Sequence, residues 1–156
     1  MIFERDENAM KHHVLSGIDR IDTVRGKLAG KRVGLMTTPT GVDHSLRSTI
    51  DLVNERFNLT ALFAVEHGIR GDAQAGAKIG TTVDAQTGVT VYSAYGENDH
   101  FNDEMLSAFD VLLFDIQDVG ARFYTYLYSL SYAMMACARG GKEMIVLDRV
   151  NPIGGK

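Results

Sequence analysis

Residues 110–130 read DVLLFDIQDVGARFYTYLYSL. The run VLLF near the start is continuous and apolar, which is typical of a β-strand buried on both faces of a sheet. The aromatic and aliphatic residues near the end recur at helical spacing. Between these two parts lie Asp115, Gln117, Asp118 and Arg122. The stretch therefore predicts a strand and a helix joined by a polar loop at the carboxyl end of the strand.

Outward from this unit, the alternation of strand and helix continues along the chain. Three more apolar runs predict strands: RVGLMT (32–37), NLTALFAV (58–65) and EMIVLD (143–148). Helices are predicted at 17–28, 46–57, 102–109 and 121–141, and a β-hairpin at 81–95 with its turn at Gln86–Gly88. Helices that alternate with apolar strands predict an α/β domain with a mostly parallel sheet.

Two of the helices carry finer predictions. Ser45 is expected to cap the helix at 46–57, and Gly140 is expected to end the helix at 121–141. The apolar face of the helix at 46–57 is predicted to comprise Leu46, Ile50, Val53 and Phe57. The inner face of the helix at 121–141 is predicted to comprise Phe123, Tyr126, Leu127, Leu130, Ala133 and Cys137.

The composition argues against several classes of protein. The chain has 156 residues and a formal net charge of −4 without a long basic run, so it offers no electrostatic basis for binding nucleic acid. Its single cysteine, Cys137, excludes an internal disulfide and is expected to be buried and unreactive. No run approaches the roughly twenty apolar residues of a membrane span, and the N-terminus lacks the apolar core of a signal peptide.

From these features we expect residues 1–13 to form a flexible N-terminal segment and residues 14–156 to form one domain. We expect no membrane association and no cofactor. A cytoplasmic location is expected for the chain as written, and a periplasmic or extracellular one if an export signal has been removed.

The polar residues collect where the predicted strands end. In an open parallel sheet, ligands bind beyond the carboxyl ends of the strands. The residues that follow the four strands are Thr37, Thr38 and Thr40; Glu66, His67 and Arg70; Asp115, Gln117, Asp118 and Arg122; and Asp148, Arg149 and Asn151. A single polar residue after a strand is often only a cap or part of a turn. Four consecutive polar strand ends predict instead a rim around a ligand pocket.

The chemistry of this rim favours carboxylates. The chain has no G-x-G-x-x-G after its first strand and no phosphate-binding loop, which argues against a nucleotide. No serine lies in a nucleophile elbow. Because Glu66 and His67 are adjacent on an extended chain and point apart, no metal site is predicted. Glu66 follows an apolar strand, and partial burial favours the neutral form that a general acid needs. Glycosidic bond cleavage fits this chemistry, but other hydrolytic reactions fit it as well.

Five segments of the chain follow one another in a recognisable order: VGLMTTPTGVD, ALFAVEHGIRGD, YSAYG, VLLFDIQDVGARFYTY and VLDRVNPIGG. Together they resemble the N-terminal half of the exo-β-N-acetylmuramidase family (NamZ-like proteins), from about Val14 to the end of the chain. The resemblance implies a Rossmann-like domain, with an open, mostly parallel sheet and helices on both faces. In that family this domain packs against a smaller C-terminal domain, and terminal N-acetylmuramic acid is released from peptidoglycan fragments in the cleft between them.

The resemblance also implies roles for the rim residues. Glu66 matches the catalytic acid, His67 would orient it or bind sugar, and Asp118 is a further catalytic candidate. The candidate substrate-binding residues are Thr38, Arg70, Asp115, Gln117, Arg122, Tyr124, Asp148, Arg149 and Asn151. An arginine suits the lactyl carboxylate of muramic acid. Tyr124 either stacks on a pyranose ring or packs within the helix.

The chain departs from the family pattern at several points. Thr38 stands where the family usually has asparagine, and Val65 and Val150 stand where it has proline. Because proline fixes φ, the loop that presents Glu66 is expected to be looser here. The chain also stops at NPIGGK, where the family continues into its second domain. The isolated chain is therefore expected to be impaired, and to form a homodimer through the apolar surface that the second domain would cover.

Three interpretations of function stay open. The chain is a domain of an N-acetylmuramidase that acts on a muramic acid-containing saccharide; or it is a non-catalytic sugar-binding or partner-dependent relative; or it binds a nucleotide or phosphate on the same fold. The third interpretation would place an anion at the TPTG loop, residues 38–41.

Overall fold

The protein is organised around a six-stranded sheet. The computed structural model describes residues 14–66, 68–71, 81–94 and 101–154, so the predicted N-terminal segment and His67 lie outside the described residues. The strands are β1 (Val33–Thr37), β2 (Leu59–Ala64), β3 (Thr82–Val83), β4 (Thr90–Ser93), β5 (Val111–Asp115) and β6 (Glu143–Val146). They lie in the order β3-β4-β2-β1-β5-β6.

The strand order is that of a Rossmann-like sheet. Every neighbouring pair is parallel except β3–β4, which is antiparallel and forms the predicted hairpin. Its turn ends at Gly88, whose φ of +73° is the left-handed conformation that glycine adopts without strain. Counting parallel strands only, the order is 3-2-1-4-5, and the chain reverses direction across the sheet between β1 and β5. The prediction of an α/β fold with a mostly parallel sheet is confirmed.

Helices cover both faces of this sheet. One face carries a 3₁₀ segment (Ile18–Val24), α1 (Arg25–Leu28) and α2 (Thr49–Arg56), whose buried side chains pack on Leu35, Leu62 and Leu113. The other face carries α3 (Asp103–Ser107) and α4 (Tyr126–Arg139), which pack on Phe63 and Phe114. The central strands β1, β2 and β5 are thus buried between two apolar layers, as continuous apolar runs require. Among the described residues, no helix is long and apolar enough to cross a membrane.

The start of α2 differs from the prediction. Ser48, rather than Ser45, is the N-cap, and its hydroxyl accepts a hydrogen bond from the Ile50 backbone N–H at 3.2 Å. Ser45 lies in a turn held by Asp43, whose carboxylate accepts its backbone N–H at 2.8 Å. Leu46 has a φ of +62° and is 80% exposed, so it does not belong to the apolar face. The capping side chain and the turn thus move the helix start by three residues.

The start of α4 also differs from the prediction. The helix begins at Tyr126, not at Ala121, and it ends at the predicted Gly140. Phe123 therefore lies before the helix and is 93% exposed, and Leu127 is exposed as well. Cys137 is buried as predicted, and burial raises the pKa of its thiol to about 11. Exposed apolar side chains also line the outer side of α4, and the homodimer through such a surface stays a prediction.

Candidate functional site

A cleft beside Glu66 lies beyond the carboxyl end of β2. Its volume is about 260 Å³, and it is lined by Glu66, Phe123, Tyr124, Thr125 and Tyr126. A carboxylic acid from one strand end thus faces the aromatic segment that leads into α4. The volume lies just below the roughly 300–1,000 Å³ of pockets that hold drug-sized ligands, so it suits a ligand of about one ring.

Local structure explains why Glu66 faces this cleft. The preceding Val65 is buried in the apolar layer beneath α4, and its carbonyl accepts a hydrogen bond from the Gly68 N–H at 3.2 Å. This bond turns the chain directly after Val65, and Gly68 adopts a φ of +76°, the left-handed conformation that glycine tolerates. The turn ends the strand abruptly and leaves the Glu66 side chain half-buried at the rim.

The aromatic wall of the cleft is anchored on the core. Tyr126 packs against the apolar cluster beneath α4. The ring of Tyr124 meets the ring of Tyr126 edge to face, with centroids 5.5 Å apart. Burial, and then the negative charge of Glu66, raise the pKa of Tyr126, as expected for a phenol that shares a cleft with a carboxylate.

A second group of rim residues forms a buried network between the ends of β1 and β5, at the switch point where the strand order of the sheet reverses. Asp115 has no exposed surface, and Arg149 donates to both of its carboxylate oxygens, from Nε at 2.6 Å and Nη2 at 2.9 Å. The Thr49 hydroxyl also donates to Asp115, and Arg149 donates to the Val42 carbonyl at 2.8 Å. Asp115 and Arg149 therefore hold the fold together, and a role for either in substrate binding stays a prediction.

The space at the switch point is filled by the TPTG loop, residues 38–41. A Cβ on Gly41 would lie 2.1 Å from the Thr37 hydroxyl and 3.3 Å from the Asp115 carbonyl oxygen, so the Gly41 backbone lies against the ends of both central strands. Thr38 is buried beside it, with its hydroxyl 2.8 Å from that of Thr40. The TPTG loop thus occupies the crevice in which Rossmann domains hold their ligand. This packing argues against the nucleotide interpretation.

A third group joins the loop after β5 to the end of the chain. Gln117 donates from Nε2 to the Val150 carbonyl at 3.0 Å, which ties the two segments together. Asp118 accepts the Gly120 N–H on Oδ2 at 2.9 Å, whereas its Oδ1 is buried and has no hydrogen-bond partner among the described residues. Asn151 lies close to Gly120 and accepts the Ile153 N–H at 3.1 Å. A buried carboxylate oxygen without a hydrogen-bond partner is rare, so this oxygen is a site at which a further donor could bind.

Arg70 lies apart from the Glu66 cleft. It donates to Asp84 at 2.6 and 3.0 Å and to Asp51 at 3.0 Å, beside a separate cavity of about 290 Å³. Its charge is thus already balanced by two carboxylates within the fold. Its predicted contact with substrate is not tested by this arrangement.

The Arg70–Asp84 pair predicts a loss of stability in acid. Arg70 foremost, together with Thr87, lowers the pKa of Asp84 from 3.8 to about 2. A carboxyl group with a lowered folded-state pKa stabilises the protein above its unfolded pKa, and this contribution disappears as the pH falls through about 2. The free energy of unfolding of the wild type should therefore fall between pH 4 and pH 2, as measured by urea unfolding. In Asp84→Asn this fall should be smaller by about 2 kcal/mol. Asp103→Asn, an exposed control, should show the same pH dependence as the wild type. If Asp84→Asn also showed that pH dependence, the Arg70–Asp84 pair would not be the source of the acid sensitivity.

The remaining predicted residues are exposed or outside the described residues. Arg122 and Asp148 are exposed, and the Asp148 carbonyl accepts the Gly17 N–H at 2.7 Å. The role of His67 stays a prediction. Within the described ranges, no group of three or more histidine, cysteine, aspartate or glutamate side chains is arranged to hold a metal ion.

Sequence reasoning missed three cleft residues and two partners. Phe123, Thr125 and Tyr126 line the cleft, but the predicted helix start assigned Phe123 and Tyr126 to the core. Gly120, at a φ of +68°, was the available sign that the helix begins later. Thr49 and Asp84, the partners of Asp115 and Arg70, lie 66 and 14 residues from them along the chain, and no local pattern marks them.

Fold and cleft together define a Rossmann-like α/β domain with a ligand-sized cleft beyond the ends of its strands. The family model described as "Exo-beta-N-acetylmuramidase NamZ, N-terminal" matches residues 33–156. The chain is also 50% identical over 154 residues to the peptidoglycan beta-N-acetylmuramidase NamZ of Bacillus subtilis strain 168, covering 97% of this chain and 37% of that protein. The chain therefore belongs to the NamZ exo-beta-N-acetylmuramidase family and corresponds to its N-terminal domain.

Solved structures agree with this assignment. Two crystal structures of DUF1343 family proteins from Bacteroides fragilis NCTC 9343 match 90% of this chain, with TM-scores of 0.81 and 0.76 and identities of 49% and 34%. The chain covers 36% of each of those proteins. It thus spans little more than a third of the length of the relatives that it matches.

Proposed function

We propose that this chain is the acid-bearing domain of a glycoside hydrolase that releases terminal N-acetylmuramic acid from peptidoglycan fragments. The observation that carries the proposal is the position of Glu66 in a ring-sized cleft walled by aromatic side chains. The family membership and the B. subtilis relative, which is described as a peptidoglycan beta-N-acetylmuramidase, support the substrate class.

Glu66 acts in this scheme as the general acid. Its proton passes to the glycosidic oxygen as the bond from that oxygen to the anomeric carbon breaks, and the sugar ring takes up positive charge. Water then adds to the anomeric carbon, and its proton goes to a carboxylate. The half-buried position of Glu66 suits the acid, because it admits a sugar and still excludes part of the solvent.

Asp118 is the candidate for the second polar group. Its Oδ2 is held by the Gly120 N–H, and its Oδ1 has no partner among the described residues. Asp118 is not among the described residues that line the Glu66 cleft, and its buried Oδ1 can accept a hydrogen bond from an ordered water. Arg122, which is exposed on the turn before α4, is the candidate for the lactyl carboxylate of muramic acid.

The test is the hydrolysis of a chromogenic β-N-acetylmuraminide by the 156-residue chain. Glu66→Gln keeps the side-chain volume but removes the acid, and it should lower kcat about 10²–10⁴-fold, the usual contribution of a general acid. Glu55→Gln is the matched control, because Glu55 is exposed on α2 and pairs with Arg47 outside the cleft. Equal rates for wild type and Glu66→Gln would refute the role of Glu66. A chain that binds the glycoside without cleaving it would support the sugar-binding interpretation instead.

A further inference from the structure

Phe123 is unusual among the large apolar side chains of this protein. It is 93% exposed, although the backbone around it is held in a turn in which the Tyr124 N–H donates to the Ala121 carbonyl at 3.0 Å. Burial of a benzyl group away from water is favourable, yet Phe123 packs on little of the part of the chain that the structure describes. The turn holds the backbone at this position, and the exposed ring is available to pack on a ligand.

The position of Phe123 beside Glu66 limits the kinds of ligand that its side chain can contact. It lines the same 260 Å³ cleft as Glu66, together with Tyr124, Thr125 and Tyr126. Tyr126 is packed on the core and Tyr124 is in edge-to-face contact with it, so the wall behind Phe123 is anchored. The cleft therefore combines an exposed aromatic side chain with a carboxylic acid.

We propose that Phe123 is the platform on which the apolar face of a pyranose ring packs while Glu66 reaches the glycosidic oxygen of that ring. This inference rests on the proposed function. Glucosamine and muramic acid carry all their ring substituents equatorially, so each ring face consists of axial C–H groups. Such C–H groups carry partial positive charge and complement the negative face of a benzene ring. The hydroxyl groups then point outward from the ring edge toward polar partners.

The platform has a consequence for specificity. The face that Phe123 contacts is common to N-acetylglucosamine and N-acetylmuramic acid, whereas the lactyl group projects from the ring edge. Phe123 therefore selects for the ring shape and not for the lactyl carboxylate.

The test is a binding titration in a background that does not turn over. The 156-residue chain with Glu66→Gln is titrated by calorimetry with methyl β-N-acetylmuraminide and methyl β-N-acetylglucosaminide, with and without Phe123→Ala. Phe123→Ala should weaken the binding of both glycosides about tenfold and by a similar factor, as loss of a stacked aromatic ring does for other flat ligands. Leu127→Ala is the matched control, since Leu127 is exposed one turn later and does not line the cleft. It should leave both affinities unchanged.

A second variant provides an independent signal. The chain contains no tryptophan, so Phe123→Trp introduces a single indole at the proposed platform. Its emission should shift to shorter wavelength and saturate as either glycoside is added. Unchanged affinity in Phe123→Ala, no emission shift in Phe123→Trp, or an effect confined to the muraminide would each overturn the proposal.

The outcome also separates this inference from the proposed function. Hydrolysis that depends on Glu66 but not on Phe123 would keep the function and remove the platform. Binding that depends on Phe123 without any hydrolysis would keep the platform and remove the function. If the chain binds neither glycoside and cleaves nothing, both proposals fail.

Discussion

Replacing Arg149 by methionine is expected to lower the free energy of unfolding by about 3–5 kcal/mol. The Asp115 carboxylate has no exposed surface, and the side chain of Arg149 is 10% exposed. Removal of the guanidinium leaves a buried negative charge with the Thr49 hydroxyl as the remaining side-chain donor among the described residues. It also leaves the Val42 carbonyl without its donor. Urea unfolding monitored by circular dichroism measures the loss.

Two further variants sharpen this test. Arg47→Met removes one partner of an ion pair in which both side chains are exposed, so it should cost less than about 1 kcal/mol. Adding Asp115→Asn to Arg149→Met removes the unpaired buried charge and should restore part of the lost stability. A loss no larger in Arg149→Met than in Arg47→Met would show that the buried pair does not hold the strand ends together.

Replacing Gly17 by alanine is expected to cost about 3 kcal/mol, the upper part of the usual range for an overpacked contact. The new Cβ would lie 2.4 Å from the Leu147 carbonyl carbon and 2.5 Å from the Asp148 nitrogen. Both neighbours are backbone atoms, and the Gly17 N–H donates to the Asp148 carbonyl at 2.7 Å, so neither segment can yield without losing this bond. Gly17 has a φ of −57°, which alanine adopts freely, so the cost comes from crowding alone.

Gly26 is the matched control for this substitution. It lies in α1, and a Cβ there would meet nothing within 4 Å. Gly26→Ala should therefore be neutral or stabilise the protein by up to about 1 kcal/mol, because alanine has less backbone freedom to lose on folding. Thermal unfolding of the two variants side by side measures the difference. Equal melting temperatures for both variants would mean that Gly17 does not pack against the backbone that follows β6.

Much of the fold was predictable because it depends on neighbours along the chain. The four apolar strands, the hairpin at Gly88 and the end of α4 at Gly140 all follow from local periodicity and turn residues. The two helix starts were misplaced. Leu46 and Phe123 continue an apolar pattern by spacing, yet a side-chain cap at Ser48 and the turn after Gly120 begin the helices later.

The candidate site was predictable only as a region. Parallel strands place their carboxyl ends on one edge, and so the polar rim follows from sequence. Its division into a cleft and a buried network does not. Asp115 and Asp118 lie three residues apart at the end of β5, but Asp115 is buried and paired with Arg149, whereas Asp118 has one oxygen without a hydrogen-bond partner among the described residues.

By itself, the sequence determined the α/β class, the strand positions and the identity of the chemistry-bearing residues, because these depend on side chains within a few positions of one another. The tertiary structure decided which of those residues stabilise the fold and which line the cleft. Asp115 meets Arg149 34 residues later, and Arg70, which follows β2, meets Asp84 between β3 and β4. Glu66 meets the aromatic segment at 123–126 more than fifty residues away. Such contacts form only when the sheet brings distant strand ends together, and no local pattern encodes which pairs will meet.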